Sequence, residues 1–243
     1  MVAAESSRVA VVTGGTGALG RWVVRDLAAR GLRVHVPVRS MAAVEEARSF
    51  LEKELGGAQA RGVHFPSCDV TEPDEVEGVV ETIVDGGGRL DVLVNAVGGF
   101  TMAPVEETTP EEWRRMMDLN ATSAFFCSRA VVPPMKEARW GRIVNVASFP
   151  ALERGASGMS AYAASKAALL SLTRSLAQEV LGSGITVNAV VPRIIDTPAN
   201  RDAMPDADRT RWLAPVEIAR VVGFLAGDDA GIVTGAAVPL EKG

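Results

Sequence analysis

Cysteine, histidine, lysine and tyrosine are all scarce in this 243-residue chain, and each shortage removes a class of explanation. Two cysteines, Cys68 and Cys127, are too few for a disulfide framework, and with only His35 and His64 beside them they follow no zinc-ligand spacing. All four read as structural, and no metal site is expected. No apolar run approaches the ~20 residues a membrane-crossing helix needs, although 47 % of the chain is hydrophobic. Met1 to Ser7 has neither a basic start nor an apolar segment, so no secretory leader is read there, and a soluble, cytoplasmic protein is expected. Linkers, repeats and low-complexity tracts are missing too, so residues 1–243 read as a single domain. Basic excess is lacking: a net charge of -5 and a pI near 5.2 argue against a general nucleic-acid binder, which needs a concentrated basic face. The expected partner is a small molecule, with neither nucleic acid nor membrane.

What the chain does have is alternation. Short β-rich runs fall near Arg8 to Thr13, Arg33 to Val38, Val63 to Ser67, Asp91 to Asn95, Arg142 to Ala147, Thr186 to Val190 and Ala236 to Leu240. Between them lie amphipathic helical patterns near Arg21 to Arg30, Met41 to Leu55, Pro73 to Val84, Pro110 to Met117, Ala121 to Glu137, Ala161 to Leu181 and Pro215 to Ala226. That order predicts an α/β fold: a doubly wound parallel sheet with right-handed crossovers and helices on both faces. Asp85-Gly-Gly-Gly88 reads as a flexible connector, and Pro133-Pro134 as a kink in its helix or an early end to it.

The first strand runs straight into Gly14-Gly-Thr-Gly-Ala-Leu-Gly20 and then a helix. Gly14 permits a tight turn, Gly15 to Gly17 let backbone N–H groups approach a pyrophosphate, and Gly20 allows close packing of helix on strand. The alternative is a plain turn between strand and helix. Far along the chain, the single tyrosine, Tyr162, precedes Lys166 by four residues inside a helical run, so phenol and ammonium share one face. A cation there favours the phenolate, lowers the tyrosine pKa and makes the hydroxyl a usable proton donor and acceptor. The alternative is an ordinary surface pair.

With these two features in place, the chain resembles a short-chain dehydrogenase/reductase over nearly its whole length. Seven stretches carry the resemblance in order: Thr13 to Gly20, Cys68-Asp69-Val70, Leu93-Val-Asn-Ala-Val-Gly98, Asp118-Leu119-Asn120, Gly141-Arg-Ile-Val-Asn-Val-Ala-Ser148, Tyr162-Ala-Ala-Ser-Lys166, and Val187-Asn-Ala-Val-Val-Pro192 followed by Asp196-Thr197. The resemblance implies a Rossmann-type fold, a nicotinamide cofactor and a catalytic tetrad of Asn120, Ser148, Tyr162 and Lys166. Tyr162 would donate the proton to a carbonyl oxygen, and Ser148 would give that oxygen a second hydrogen bond. Lys166 would hold ribose hydroxyls and depress the Tyr162 pKa, and Asn120 would anchor a relay water. An asparagine at that place can also bend or cap its helix.

The same resemblance assigns the cofactor contacts. Gly14, Gly15, Thr16, Gly17, Leu19 and Gly20 would cradle the pyrophosphate, Asp69 and Val70 would meet the adenine, and Asn95 and Gly98 would line the adenosine side. Tyr162, Lys166, Pro192, Ile195 and Thr197 would surround the nicotinamide end. Val38 stands where NAD enzymes place a ribose-binding carboxylate, and Arg39 and Ser40 follow it, a guanidinium and a hydroxyl suited to a 2′-phosphate. NADP is therefore expected, with NAD as the other choice if Arg39 is merely solvated.

Departures from the family pattern fall at Ala18 in the glycine loop, at Ala96, and at Arg193, where a glycine is usual. Arg193 either recognises an acidic substrate or turns to solvent. Substrate identity should lie in 99–105, 149–160 and a lid over 193–213, where Phe149, Met159, Met204 and Trp212 offer apolar lining and Arg154 and Arg193 polar selection. Trp212 reads better as lid core. The expected activity is reduction of a 3-oxoacyl-type ketone or a related one. A dihydropteridine reductase-like enzyme is the runner-up, on the segment Asp196 to Asp208 with Trp212, and a non-catalytic redox sensor is the alternative of another class. Helices 121–137 and 161–181 are apolar on more than one face, and the resemblance implies a homodimer or homotetramer built on them.

Overall fold

The computed structural model describes residues 8–87, 89–152 and 156–242. The segment Met1 to Ser7, Gly88 and Arg154, each read in the sequence, lie outside them. Seven strands form one parallel sheet: β1 (Val9–Thr13), β2 (Arg33–His35), β3 (Val63–His64), β4 (Val92–Asn95), β5 (Gly141–Val146), β6 (Ile185–Pro192) and β7 (Ala237–Leu240). Their order is β3-β2-β1-β4-β5-β6-β7, every neighbouring pair parallel. The winding reverses between β1 and β4, and that reversal opens a crevice beyond their carboxyl ends.

Period-two alternation decides which residues face which layer. Ala10 and Val12 of β1 join one core with Val34, Val92, Val94 and Val144, covered by α1 (Gly20–Ala29), α2 (Val44–Leu55) and α9 (Pro215–Leu225). Val9 and Val11 join the other core with Leu93, Ile143 and Val187, under α4 (Pro73–Gly87), α6 (Ser123–Ala138) and α7 (Ser160–Glu179). Central strands are buried on both faces and so read as unbroken valine-rich runs, each fully buried valine contributing about 1.5–3 kcal/mol. Short helices α3 (Gly57–Ala60) and α8 (Pro198–Ala203) and the helix α5 (Pro110–Met117) complete the set. The last begins on a capping box: Thr109 accepts from the Glu112 N–H while Glu112 accepts from the Thr109 N–H, with Pro110 at the first helical position.

Several expectations are corrected. β2 and β3 stop at His35 and His64 because Pro37 and Pro66, two residues further on, have no N–H to give the ladder, which resumes only as the bridge between Val38 and Ser67. α4 continues through Asp85, Gly86 and Gly87, where a connector was read, because Val76, Val80 and Ile83 anchor its other face in the core and override glycine's poor propensity. α6 is neither ended nor shortened by Pro133 and Pro134, since Val131 and Met135 on either side are fully buried, and it ends at Arg139 in the left-handed region (φ 51°). The two histidines, unrelated in sequence, are register partners with ring centroids 5.0 Å apart. Burial pushes His35 down to about 4, helped by His64.

Candidate active site

The glycine loop leaves β1 at Thr13, whose hydroxyl accepts from the Ala96 and Val97 N–H groups at 3.1 and 3.3 Å and so ties the ends of β1 and β4 together. Gly14 turns with φ +67°, and a side chain there would meet the Ala96 carbonyl at 2.8 Å. A side chain on Gly20 would strike the Gly14 carbonyl, so the first turn of α1 packs directly on the loop. No side chain caps α1 at Leu19. An uncapped, positively polarised helix start behind a loop with glycine at 14, 15, 17 and 20 fits a pyrophosphate. Arg21, which the sequence did not single out, braces the loop through the Thr16 carbonyl (3.2 Å) and pairs with Glu46 (2.9 Å).

Four residues beyond β2, Arg39 is 77 % exposed on its side chain, and its guanidinium lies 3.9 Å from the Asp69 carboxylate. Ser40 accepts from the Ala42 N–H and starts a 3-10 turn. Asp69 accepts from both the hydroxyl and the N–H of Thr71, and these bonds hold its carboxyl below the usual range, with Arg39 adding to the effect. A cavity of about 470 Å³ is lined by Arg39 and Thr71 together with Arg115, Asp118 and Leu119. Val70 is buried. Parallel register sets Asn95 opposite Asn145, and its side-chain amide donates to the side-chain oxygen Oδ1 of Asn145 at 2.8 Å. Asn145 in turn donates to the Thr173 hydroxyl (2.9 Å), so this buried chain links β4, β5 and α7.

The four tetrad residues converge. A π-helical turn, Asp118–Thr122, joins α5 to α6 and carries Asn120 inward. Asn120 accepts from the Gly99 N–H and donates to the Gly99 carbonyl, both at 3.0 Å, and also donates to the Ser165 hydroxyl at 3.0 Å. Ser165 passes the connection to the Tyr162 carbonyl at 2.8 Å. Lys166 is only 5 % exposed and donates to the Val146 carbonyl at 2.8 Å; burial lowers its pKa to about 8. A side chain at Gly98 would meet Asn120 Oδ1 at 2.7 Å and Lys166 Nζ at 3.2 Å, so this glycine is the floor on which the two groups meet.

Ser148 follows β5 and opens the 3-10 turn Phe149–Ala151. Ser148 favours the Tyr162 phenolate, but burial outweighs that and raises the Tyr162 pKa above its ordinary 10.0. The Lys166 ammonium is engaged by the Val146 carbonyl, and Ser148 is the group that pulls the phenol's pKa down. Phe100, also missed in the sequence, stands edge-on to Tyr162 with centroids 5.0 Å apart and is 57 % exposed, a wall for whatever meets the phenol.

The covering segments are pinned at their bases. The Ala103 N–H donates to the Gly158 carbonyl at 2.8 Å, joining the loops 99–105 and 156–160. The segment after β6 is closed at its base by the bridge of Ile195 to Leu213. Thr197 caps α8 at Asn200, whose amide donates to the Ile195 carbonyl at 2.8 Å. Pro192 closes β6 and is buried. Met159 and Met204 flank α7 and α8 half-buried, whereas Trp212 is buried, 4 % exposed.

Comparison with known proteins places this geometry in context. The family model described as short chain dehydrogenase matches residues 8–208. A curated D-beta-hydroxybutyrate dehydrogenase of Rhizobium meliloti (strain 1021) is 32 % identical over 98 % of both chains. A 3-oxoacyl-(acyl-carrier-protein) reductase FabG of Vibrio cholerae is 35 % identical over 97 % of this chain and 96 % of its own. Among solved structures, levodione reductase superposes with a TM-score of 0.87 at 30 % identity, covering 96 % of each chain.

Proposed function

The chain belongs to the short chain dehydrogenase family, an oxidoreductase family, and from that premise we propose that it reduces a ketone, of 3-oxoacyl or related type, with NADPH. The observation that carries the reading is the meeting of Asn120 and Lys166 on Gly98, with Asn120 tied through Ser165 to Tyr162 one helix turn before Lys166, at the mouth of the sheet's reversal crevice. A nicotinamide dinucleotide supplies the hydride when bound. Gly14 to Gly20 would hold its pyrophosphate, with Asp69 and Val70 at the adenine and Lys166 at the ribose.

The rest is done by the chain's own groups. As a carbonyl carbon accepts hydride, its oxygen gains negative charge, and Tyr162 gives that oxygen its proton. A phenol with a raised pKa is fully protonated at neutrality, which suits an acid. Ser148 orients the oxygen and stabilises its developing charge. Lys166 and Asn120, fixed by Val146 and Gly99, return a proton from solvent through water. Arg39 and Ser40 support the preference for NADP, since a guanidinium matches a phosphate in shape and charge. Phe125 on α6 is 46 % exposed and supports self-association through α6 and α7, as a dimer or tetramer.

Purified protein mixed with NADPH or NADH and a panel of ketones tests the reading by loss of reduced-nicotinamide absorbance. Turnover on at least one ketone, faster with NADPH, is the expected result. Dinucleotide binding with no turnover on any carbonyl would favour a sensor and sink the enzyme reading.

A further inference from the structure

Three chain segments meet at the carboxyl edge of the sheet beside Ser148. The first residue after β6, Arg193, extends the β6–β7 ladder by giving its N–H to the Leu240 carbonyl at 3.0 Å. Its guanidinium carbon then lies over the Phe149 ring, 3.8 Å from the centroid, and its Nε donates to the Glu241 carboxylate at 2.8 Å. Phe149 is the residue next to Ser148 and starts the 3-10 turn that the serine precedes. Glu241 belongs to a strapped tail: the neighbouring Lys242 carbonyl accepts from Arg211 at 3.1 Å, and the Lys242 ammonium lies 3.5 Å from Glu217 of α9.

The geometry points to Arg193 as a positioning residue: clamped between Phe149 and Glu241, it fixes the substrate wall beside Ser148, and the carbonyl compounds taken there are uncharged where they meet that wall. This rests on the ketone-reducing reading above and deepens it. A planar guanidinium can stack on a ring and bind a carboxylate edge-on together, which an ammonium cannot do. Glu241 cancels the charge that would otherwise attract an acid, so a substrate carboxylate must displace a partner already fixed by the β7 end. The residue that looks in sequence like an acid receptor is instead part of the scaffold.

The test compares a neutral ketone with a carboxylated ketone of the same skeleton in wild type, Arg193→Ala and Arg193→Lys. Arg193→Ala is expected to lower kcat on both by the same factor, roughly 10- to 100-fold, because Ser148 loses its support. Arg193→Lys, which keeps the charge without the planar guanidinium, should not restore it. A rise in KM confined to the carboxylated ketone, or full rescue by lysine, overturns the proposal. A crystal structure of Arg193→Ala supplies a readout independent of turnover: a displaced Phe149 ring supports the clamp and an unmoved ring ends it. Wild type inactive on every ketone would instead defeat the ketone reading, with the ring position still deciding the clamp.

Discussion

Lys166 donates to the carbonyl of Val146 at 2.8 Å, two residues before Ser148, and thereby sets α7 against β5 in the register that brings Tyr162 to the serine. The lysine acts first as a bolt between helix and strand. Its ammonium is held where burial opposes the charge, which makes the site's geometry a source of instability as well as of chemistry.

Stability should reveal that tension. With a folded pKa of about 8 against an ordinary 10.5, the folded state releases the proton before the unfolded state does, so wild-type stability rises between those pH values. The burial penalty is fully present below pH 8 and amounts to something on the order of 3 kcal/mol. Lys166→Met lacks this dependence. Denaturant unfolding of both proteins at pH 7 and pH 10 should show the variant's advantage shrinking as pH rises. A constant difference would mean that the ammonium is not buried as described.

Tyr162 gives a second pH test. Alcohol oxidation needs the phenolate and carbonyl reduction the phenol, so a raised pKa predicts oxidation that keeps accelerating through alkaline pH while reduction stays level through neutrality. Oxidation levelling off near pH 7 would show instead a phenol depressed by its helix neighbour, as the sequence suggested. Tyr162→Phe should abolish turnover in both directions with dinucleotide affinity nearly unchanged.

Removing Ser148 takes away both the group that favours the phenolate and a donor to the carbonyl oxygen. Ser148→Ala should lower kcat by about 10²–10³, the cost of one such donor, with little change in the thermal midpoint. Retained activity would show that Tyr162 works alone.

Cofactor choice should turn on Arg39, which is too exposed to matter for folding. Arg39→Ala should weaken NADPH binding roughly 10- to 100-fold, the worth of a charge-assisted hydrogen bond, while NADH affinity stays the same. Equal affinities of wild type for the two dinucleotides would remove Arg39 from that role.

The thiols provide a check on the core. Burial pushes Cys68 to about 11 and Cys127 to about 12, so neither is a thiolate at neutral pH. Native protein should resist a thiolate-directed alkylating agent and react only once unfolded; rapid labelling of folded protein would contradict the packing.

Much of this molecule was legible in its residues because the informative features are local. Valine-rich runs alternating with amphipathic ones announced strands and helices, the Gly14 to Gly20 spacing announced the loop, and a one-turn interval put Tyr162 and Lys166 on a single helix. What remained hidden lies at long sequence separation. Nothing in the sequence tied the Asn95 side chain to Asn145, fifty residues on, until register set them opposite each other. Arg193 could be read as receptor or surface until its partners Phe149 and Glu241 came from two other segments.

The sequence by itself determined the alternation of elements, the family and the chemical groups on offer, since backbone period and short spacing depend only on neighbours in the chain. Tertiary structure alone decided what each group does with its hydrogen bonds. Lys166 went to Val146, Asn120 to Gly99 and Asn95 to Asn145 because strand register and helix packing fix which distant donor meets which acceptor, and a buried polar atom must take the partner that the fold puts within reach.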